Sequence, residues 1–103
     1  MDRTPFDWPG RSATNPAHLR VGEFLVTDIQ CSPEWATDLA DKIEAVMSGK
    51  LSYWERTGNA FHLEISACGA SIEDIVDESR PTETVPLPEF RTAVLTWLQQ
   101  SQS

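Results

Sequence analysis

Between Tyr53 and Asp77 apolar and polar residues alternate over short stretches parted by glycine-containing turns. A period of two is met only by strands that bury one face and wet the other. Folding Tyr53–Thr57 back on Ala60–Ile65 around Gly58-Asn59 gathers Trp54, Phe61, Leu63 and Ile65 on one surface. The opposite surface receives Glu55, His62 and Glu64. A second turn at Cys68-Gly69 adds Glu73 and Asp77 from the next strand. This register sets Glu55 opposite His62, Trp54 opposite Leu63, Glu64 opposite Glu73, Ile65 opposite Ile72 and Phe61 opposite Val76. It also turns Asp74 inward beside Leu63, which is costly unless a bulge or an edge lets the carboxylate reach water.

Upstream, Ser32-Pro33-Glu34 is a helix start: an N-cap hydroxyl, a proline at the first helical position, and an acid at the positive end of the dipole. Trp35, Ala36, Leu39, Ala40, Ile43, Val46 and Met47 then recur at helical spacing, and Gly49 is placed to end the helix. Val21–Ile29 is rich in β-formers and is expected to be a first strand. Residues 1–20, broken by Pro5, Pro9, Gly10 and Pro16, are expected to form an irregular arm that Phe6 and Trp8 could pin to the body. Thr84–Leu87 fits a short edge strand because of Pro86. A last helix from about Pro88 to Gln100 presents Phe90, Ala93, Val94, Trp97 and Leu98 before a frayed tail at 101–103.

The order β-α-β-β-β-(β)-α predicts an α+β domain over residues 21–100. Its antiparallel sheet has four to five strands, with two helices packed on one face.

Charge narrows the function. Sixteen Asp and Glu against eight Lys and Arg give a formal net charge of −8. That excludes ordinary nucleic-acid binding and anionic membrane surfaces, and favours a basic protein partner. No long apolar run suggests a membrane span, and the first residues lack a secretory signal, so a cytoplasmic location is expected. Cys31 and Cys68 are too few and too far apart for a disulfide framework and are expected to be thiols.

Between Thr57 and Ser79 there is no Lys or Arg, while Glu64, Glu73, Asp74, Asp77 and Glu78 all fall there. Glu55, His62, Glu64, Glu73, Asp77 and Glu78 are therefore the candidate partner-binding residues. The competing view is a merely solvated outer face. Trp8 joins them as either a clasp onto the domain or an anchor for a partner. Glu55 and His62 with Ser66 or Cys68 could be drawn as a catalytic group, but an open sheet offers no pocket or oxyanion donors, so no catalytic residues are expected. Glu73, Asp74, Asp77 and Glu78 lack the spacing of a calcium loop. Neither a metal nor another cofactor is expected, and His18 has no evident partner.

The run Ser52–Ser66, with Trp54, Arg56 and Gly58 entering a hairpin, resembles a segment of the YacL-like group of small bacterial proteins. An acidic strand at Ile72–Glu78 and the step Val85-Pro86-Leu87 into Phe90 extend the likeness over about Ser32 to Leu98. That group includes immunity proteins of contact-dependent inhibition and related polymorphic toxin systems. The resemblance implies a non-enzymatic antidote that binds a cognate toxin domain, often a nuclease with a basic cleft, as a monomer in a 1:1 complex. The alternative is a housekeeping adaptor or self-associating protein that uses a sheet edge.

Overall fold

The computed structural model describes residues 8–12, 14–30 and 32–102. Three helices cover one face of a four-stranded antiparallel sheet whose strands lie in chain order. They are α1 (Pro16–Phe24), α2 (Pro33–Met47) and α3 (Leu87–Gln102). The strands are β1 (Tyr53–Thr57), β2 (Phe61–Ser66), β3 (Gly69–Asp74) and β4 (Glu83–Val85). The α+β class and the one-sided packing are as expected. Among the described residues no helix is long and apolar enough to cross a membrane.

The first expected strand does not exist. Val21–Phe24 completes α1, and Leu25–Ile29 runs on as a π-helical turn closed by the Gln30 amide donating to the Leu25 carbonyl at 2.8 Å. Asn15 caps α1, its side chain accepting from the amides of Ala17 and His18, and Pro16 occupies the first turn. Ala17, Val21, Phe24, Leu25 and Ile29 then share a buried stripe. Local β-propensity yields to that spacing, because a helix here puts every large apolar group on the core at once. The irregular arm accordingly ends before Pro16. Cys31 and Phe6 lie outside the described residues.

α2 follows expectation closely. The Ser32 hydroxyl accepts from the Trp35 amide at 3.2 Å. The C-terminus closes through Lys50 N–H donating to Ala45 O and Gly49 N–H donating to Val46 O, with Gly49 at φ 85. Met47, assigned to the inner face, is instead exposed in the last turn.

Both hairpins turn one residue earlier or later than expected. β1 and β2 pair Trp54 with Ile65, Glu55 with Glu64 and Thr57 with His62, so the tip is Asn59-Ala60 rather than Gly58-Asn59. β2 and β3 pair Leu63 with Ile72, Glu64 with Ser71, Ile65 with Ala70 and His62 with Glu73, turning through Ala67-Cys68. Each register moves by two residues, which leaves every side chain on its expected face. The inner face carries Trp54, Phe61, Leu63, Ile65, Ala70, Ile72 and Val85. Phe24 packs between Phe61 and Phe90, at centroid distances of 6.4 and 6.2 Å, and so joins sheet, α1 and α3.

Two buried carboxylates organise the loops. Asp28, carried inward by the π turn, accepts from the Ala60 amide at 3.0 Å and the Phe61 amide at 3.1 Å. Gly58 is required beside it, since a Cβ there would sit 2.4 Å from Asp28 Oδ2. Asp74 does point inward, but beside Phe61. Its charge is met by the amides of Val76 and Asp77 at 2.9 and 2.8 Å and by Arg80 Nη1 at 2.9 Å. Arg80 also donates to Glu23 of α1 at 2.8 Å, while buried Arg20 of α1 donates to the Ile72 carbonyl at 2.9 Å. The loop after β3 is thereby tied to α1.

Asp28→Ala leaves two hairpin amides without their charged acceptor, and urea denaturation should show a loss of about 2–3 kcal/mol. Unchanged stability would mean that the tip holds itself. The Asp77 and Val76 amides and Arg80 together keep the Asp74 carboxyl below its ordinary 3.8, against the opposing effect of burial. A carboxylate held low stabilises the fold above pH 3.8 and loses that contribution as pH falls below 3.8 through the folded value. Asp74→Asn should therefore be less stable at neutral pH and show a shallower loss below pH 4 in acid titrations followed by circular dichroism.

Candidate functional site

With three helices on one face, the other face of the sheet stands open. Cross-strand neighbours arrange it in rows. One row runs Glu55, Glu64, Ser71 and Thr84, and the next runs Thr57, His62 and Glu73. Tyr53 and Ser66 flank the first. None of these positions is Lys or Arg. The hydroxyls of Ser71 and Thr84 meet at 3.0 Å on the β4 side, so the carboxylates concentrate over β1, β2 and the far end of β3.

His62 is the centre of that acidic half. Its Nε2 lies 2.9 Å from Glu55 Oε1 and 3.4 Å from Glu64 Oε2, and its Nδ1 lies 2.7 Å from Thr57 Oγ1. The expected Glu55–His62 contact therefore forms, along a diagonal rather than directly across the strands. Glu55 and Glu64 oppose each other directly. Glu73 sits exposed across from His62.

Tyr53 reports the local field. Desolvation, then hydrogen bonding to and the charge of Glu55, and after these Glu64, push its hydroxyl up from 10.0 to about 12. A phenolate would face two carboxylates, so the proton stays.

Three expected site residues are placed elsewhere. β3 ends at Asp74, so Asp77 and Glu78 belong to the following loop rather than to the sheet face. Asp77 is engaged there in accepting from the Ser79 amide at 3.1 Å. Trp8 is 4% exposed and packs in the core, with its ring 5.7 Å from that of His18. It is the clasp and not a partner anchor. His18, thought to lack a partner, has two. The Ser12 amide donates to Nδ1 at 2.8 Å, which leaves the proton on Nε2 to be donated to Glu89 of α3 at 2.8 Å. Imidazole and indole thus fasten residues 8–12 across α1 and α3.

Thr57 and Tyr53 complete the open face and were not among the sequence candidates. Both share strand parity with Glu55, so a strict count of alternate positions from Glu55 finds them. Thr57, His62 and Glu55 do form a hydroxyl–imidazole–carboxylate chain. It stands on the open sheet face, with Glu55 and Thr57 exposed and His62 half-buried, whereas acyl-transfer chemistry needs an enclosed carbonyl and aimed amide donors. Cys68 is an exposed free thiol in the β2–β3 turn, and its amide is held by the Ser66 hydroxyl at 3.2 Å.

Trp54, Arg56 and Gly58 are built into the fold. Trp54 packs edge-on against Trp35 at 6.2 Å, Arg56 stacks 3.7 Å from the Trp35 ring centroid, and Gly58 admits Asp28. No protein-family model matches the chain, no curated protein matches it, and no solved structure matches it.

Tyr53 is the one tyrosine of the chain, so near-ultraviolet phenolate absorbance reads it directly. Its midpoint in the folded protein should lie at about 12, and Glu55→Gln should bring it back toward 10.0. A midpoint at the ordinary value in the wild-type chain would remove Glu55 and Glu64 as the source of the local field.

Proposed function

We propose that this chain is a binding protein whose open sheet face docks on a basic protein surface, and that the partner is a toxin domain which it neutralises. The observation that carries this reading is the clustering of Glu55, Glu64 and Glu73 on one open face without a Lys or Arg among that face's residues. A cationic cleft, such as one that binds phosphate in a nuclease, is complementary to such a face. Opposed potentials would accelerate encounter and set orientation more than they would add raw affinity. The resemblance of Ser52–Ser66 to immunity proteins of polymorphic toxin systems supports the same partner class. Asp77 and Glu78 extend the negative potential from the loop beyond β3 without forming part of the row.

The face is suited to docking in mechanical terms as well. Glu64 and Glu73 stand on β2 and β3, whose inner residues Leu63, Ile65, Ala70 and Ile72 are buried, so partner contacts there meet a preorganised platform. Binding there requires no rearrangement of the core. Two strands, β1 and β4, remain edges, and pairing at an edge is how a self-associating adaptor would use the same sheet.

The test is co-purification with the product of the neighbouring gene, followed by stopped-flow association at several salt concentrations. Glu64→Lys with Glu73→Lys should slow association by about tenfold or more and flatten its salt dependence, with an unchanged circular dichroism spectrum. Full binding and protection by that variant would assign the face to solvent alone. A dimer that forms with rising concentration in the absence of a partner would favour the edge-pairing adaptor.

A further inference from the structure

We propose that Glu55, His62 and Glu64 form a site for a borderline divalent cation of the Zn²⁺ kind at the centre of the open face. The three residues each offer one ligand atom, and these atoms all lie within 4.8 Å of one another. Zn–N and Zn–O distances of about 2.0–2.2 Å place neighbouring ligands of a tetrahedral ion about 3.3–3.6 Å apart. His62 Nε2 already stands 2.9 Å from one carboxylate oxygen and 3.4 Å from the other, so small side-chain rotations complete three corners. The fourth faces solvent and would hold water.

Two features separate this group from a chance meeting of acids. First, the ligand nitrogen is oriented from behind: Thr57 Oγ1 at 2.7 Å from Nδ1 holds the ring with Nε2 turned to the carboxylates. Metal-binding histidines usually donate the far ring N–H to a carboxylate, carbonyl or water, and the Thr57 hydroxyl oxygen can accept it in the same way. Second, Glu64 is the less well served of the two carboxylates. His62 Nε2 reaches Glu55 at 2.9 Å better than Glu64 at 3.4 Å, and the Tyr53 hydroxyl likewise engages Glu55 ahead of Glu64. Glu55 and Glu64 also oppose each other directly, an arrangement that is destabilising for like charges. One dication on the Nε2 lone pair serves both carboxylates together.

The donor set fixes the ion class. Ca²⁺ takes six to eight oxygens and Mg²⁺ a rigid octahedron of them, whereas imidazole nitrogen with two carboxylates suits Zn²⁺ and its neighbours. Binding uses the Nε2 lone pair, so the ion competes with a proton for that nitrogen. The inference rests on ligand geometry alone and not on the toxin reading. Should both hold, the ion would cancel the charges of Glu55 and Glu64 and compete with a basic partner.

The experiment is calorimetric titration of the full chain with Zn²⁺, in a Cys31→Ser, Cys68→Ser background that removes the thiols, together with NMR of the histidine rings. The expected result is one saturable site per chain, with His62 ring resonances moving and those of His18 unmoved. His62→Ala and the isosteric Glu64→Gln should each abolish or severely weaken it. Thr57→Val, which keeps all three ligands, should weaken it by about tenfold. Ca²⁺ at equal concentration should leave the His62 resonances in place. Absence of a saturable site overturns the proposal, as does a site that survives both His62→Ala and Glu64→Gln.

Discussion

The structure turns on one carboxylate, Asp28, reaching across to the amides of Ala60 and Phe61. A hairpin of two five- or six-residue strands is marginal alone, and its tip leaves amides without ladder partners. Asp28 supplies the acceptor from a different element. Phe61 N–H is directed to Asp28, while Gly58 N–H still donates to Phe61 O at 2.8 Å. The tip is therefore closed from one side by the ladder and from the other by the helix. Delivery of Asp28 depends on the π turn. The extra residue in Leu25–Ile29 swings Asp28 inward together with Ile29, and Gln30 at φ 55 ends the turn. Such insertions in helices mark places where a side chain must be re-aimed. Here the re-aimed group fixes where β1 and β2 fold over each other, and with that the identity of every cross-strand pair on the open face.

The same constraint explains what could be read from the sequence. Alternation assigned each residue of β1–β3 to its correct face although both registers were displaced by two positions, because face depends only on parity. What alternation could not see was the turn centre. Gly58-Asn59 is the better turn pair by local chemistry, but Gly58 is needed for another reason, the close approach of Asp28. Asp28 lies 30 residues upstream of Gly58 and no local rule connects them. α2 was legible because cap, dipole and stop signals agree with its apolar spacing. Val21–Ile29 was not, since its β-forming composition competed with a helical stripe beginning at Ala17. The deciding signal, Asn15-Pro16 as cap and first turn, lay inside what looked like loop.

Of the candidate site, Glu55, His62, Glu64 and Glu73 were legible from parity, Trp8 was legible as a clasp or an anchor without a choice between them, and Asp77 was misplaced on the strand. Trp8 sits in a proline-rich stretch, and only the three-dimensional neighbourhood of His18 reveals that its ring is covered. Asp77 continues the alternation of β3, but Asp74 ends the strand. Its carboxylate accepts from the Val76 and Asp77 amides, two and three residues on, as aspartate does in turns, and Arg80 then secures the loop. The inward Asp74 that looked like a packing conflict is thus the stop signal for the strand.

The division of labour between the two faces gives the acidic surface its meaning. Leu63, Ile65, Ile72 and Val85 are at most 2% exposed, and burial of such groups contributes about 1.5–3 kcal/mol each. The open face contributes little by comparison, because exposed charges in water interact weakly across strands. Folding therefore leaves the outer positions nearly free to be any polar residue. Repulsion between Glu55 and Glu64 is modest enough to persist and still too specific to help the fold. A Lys at either position would give a better cross-strand pair, and a Thr would suit the strand better. Carboxylates opposed in that way, with an imidazole held between them by Thr57, are better matched to a positive charge arriving from outside than to the needs of the sheet that carries them.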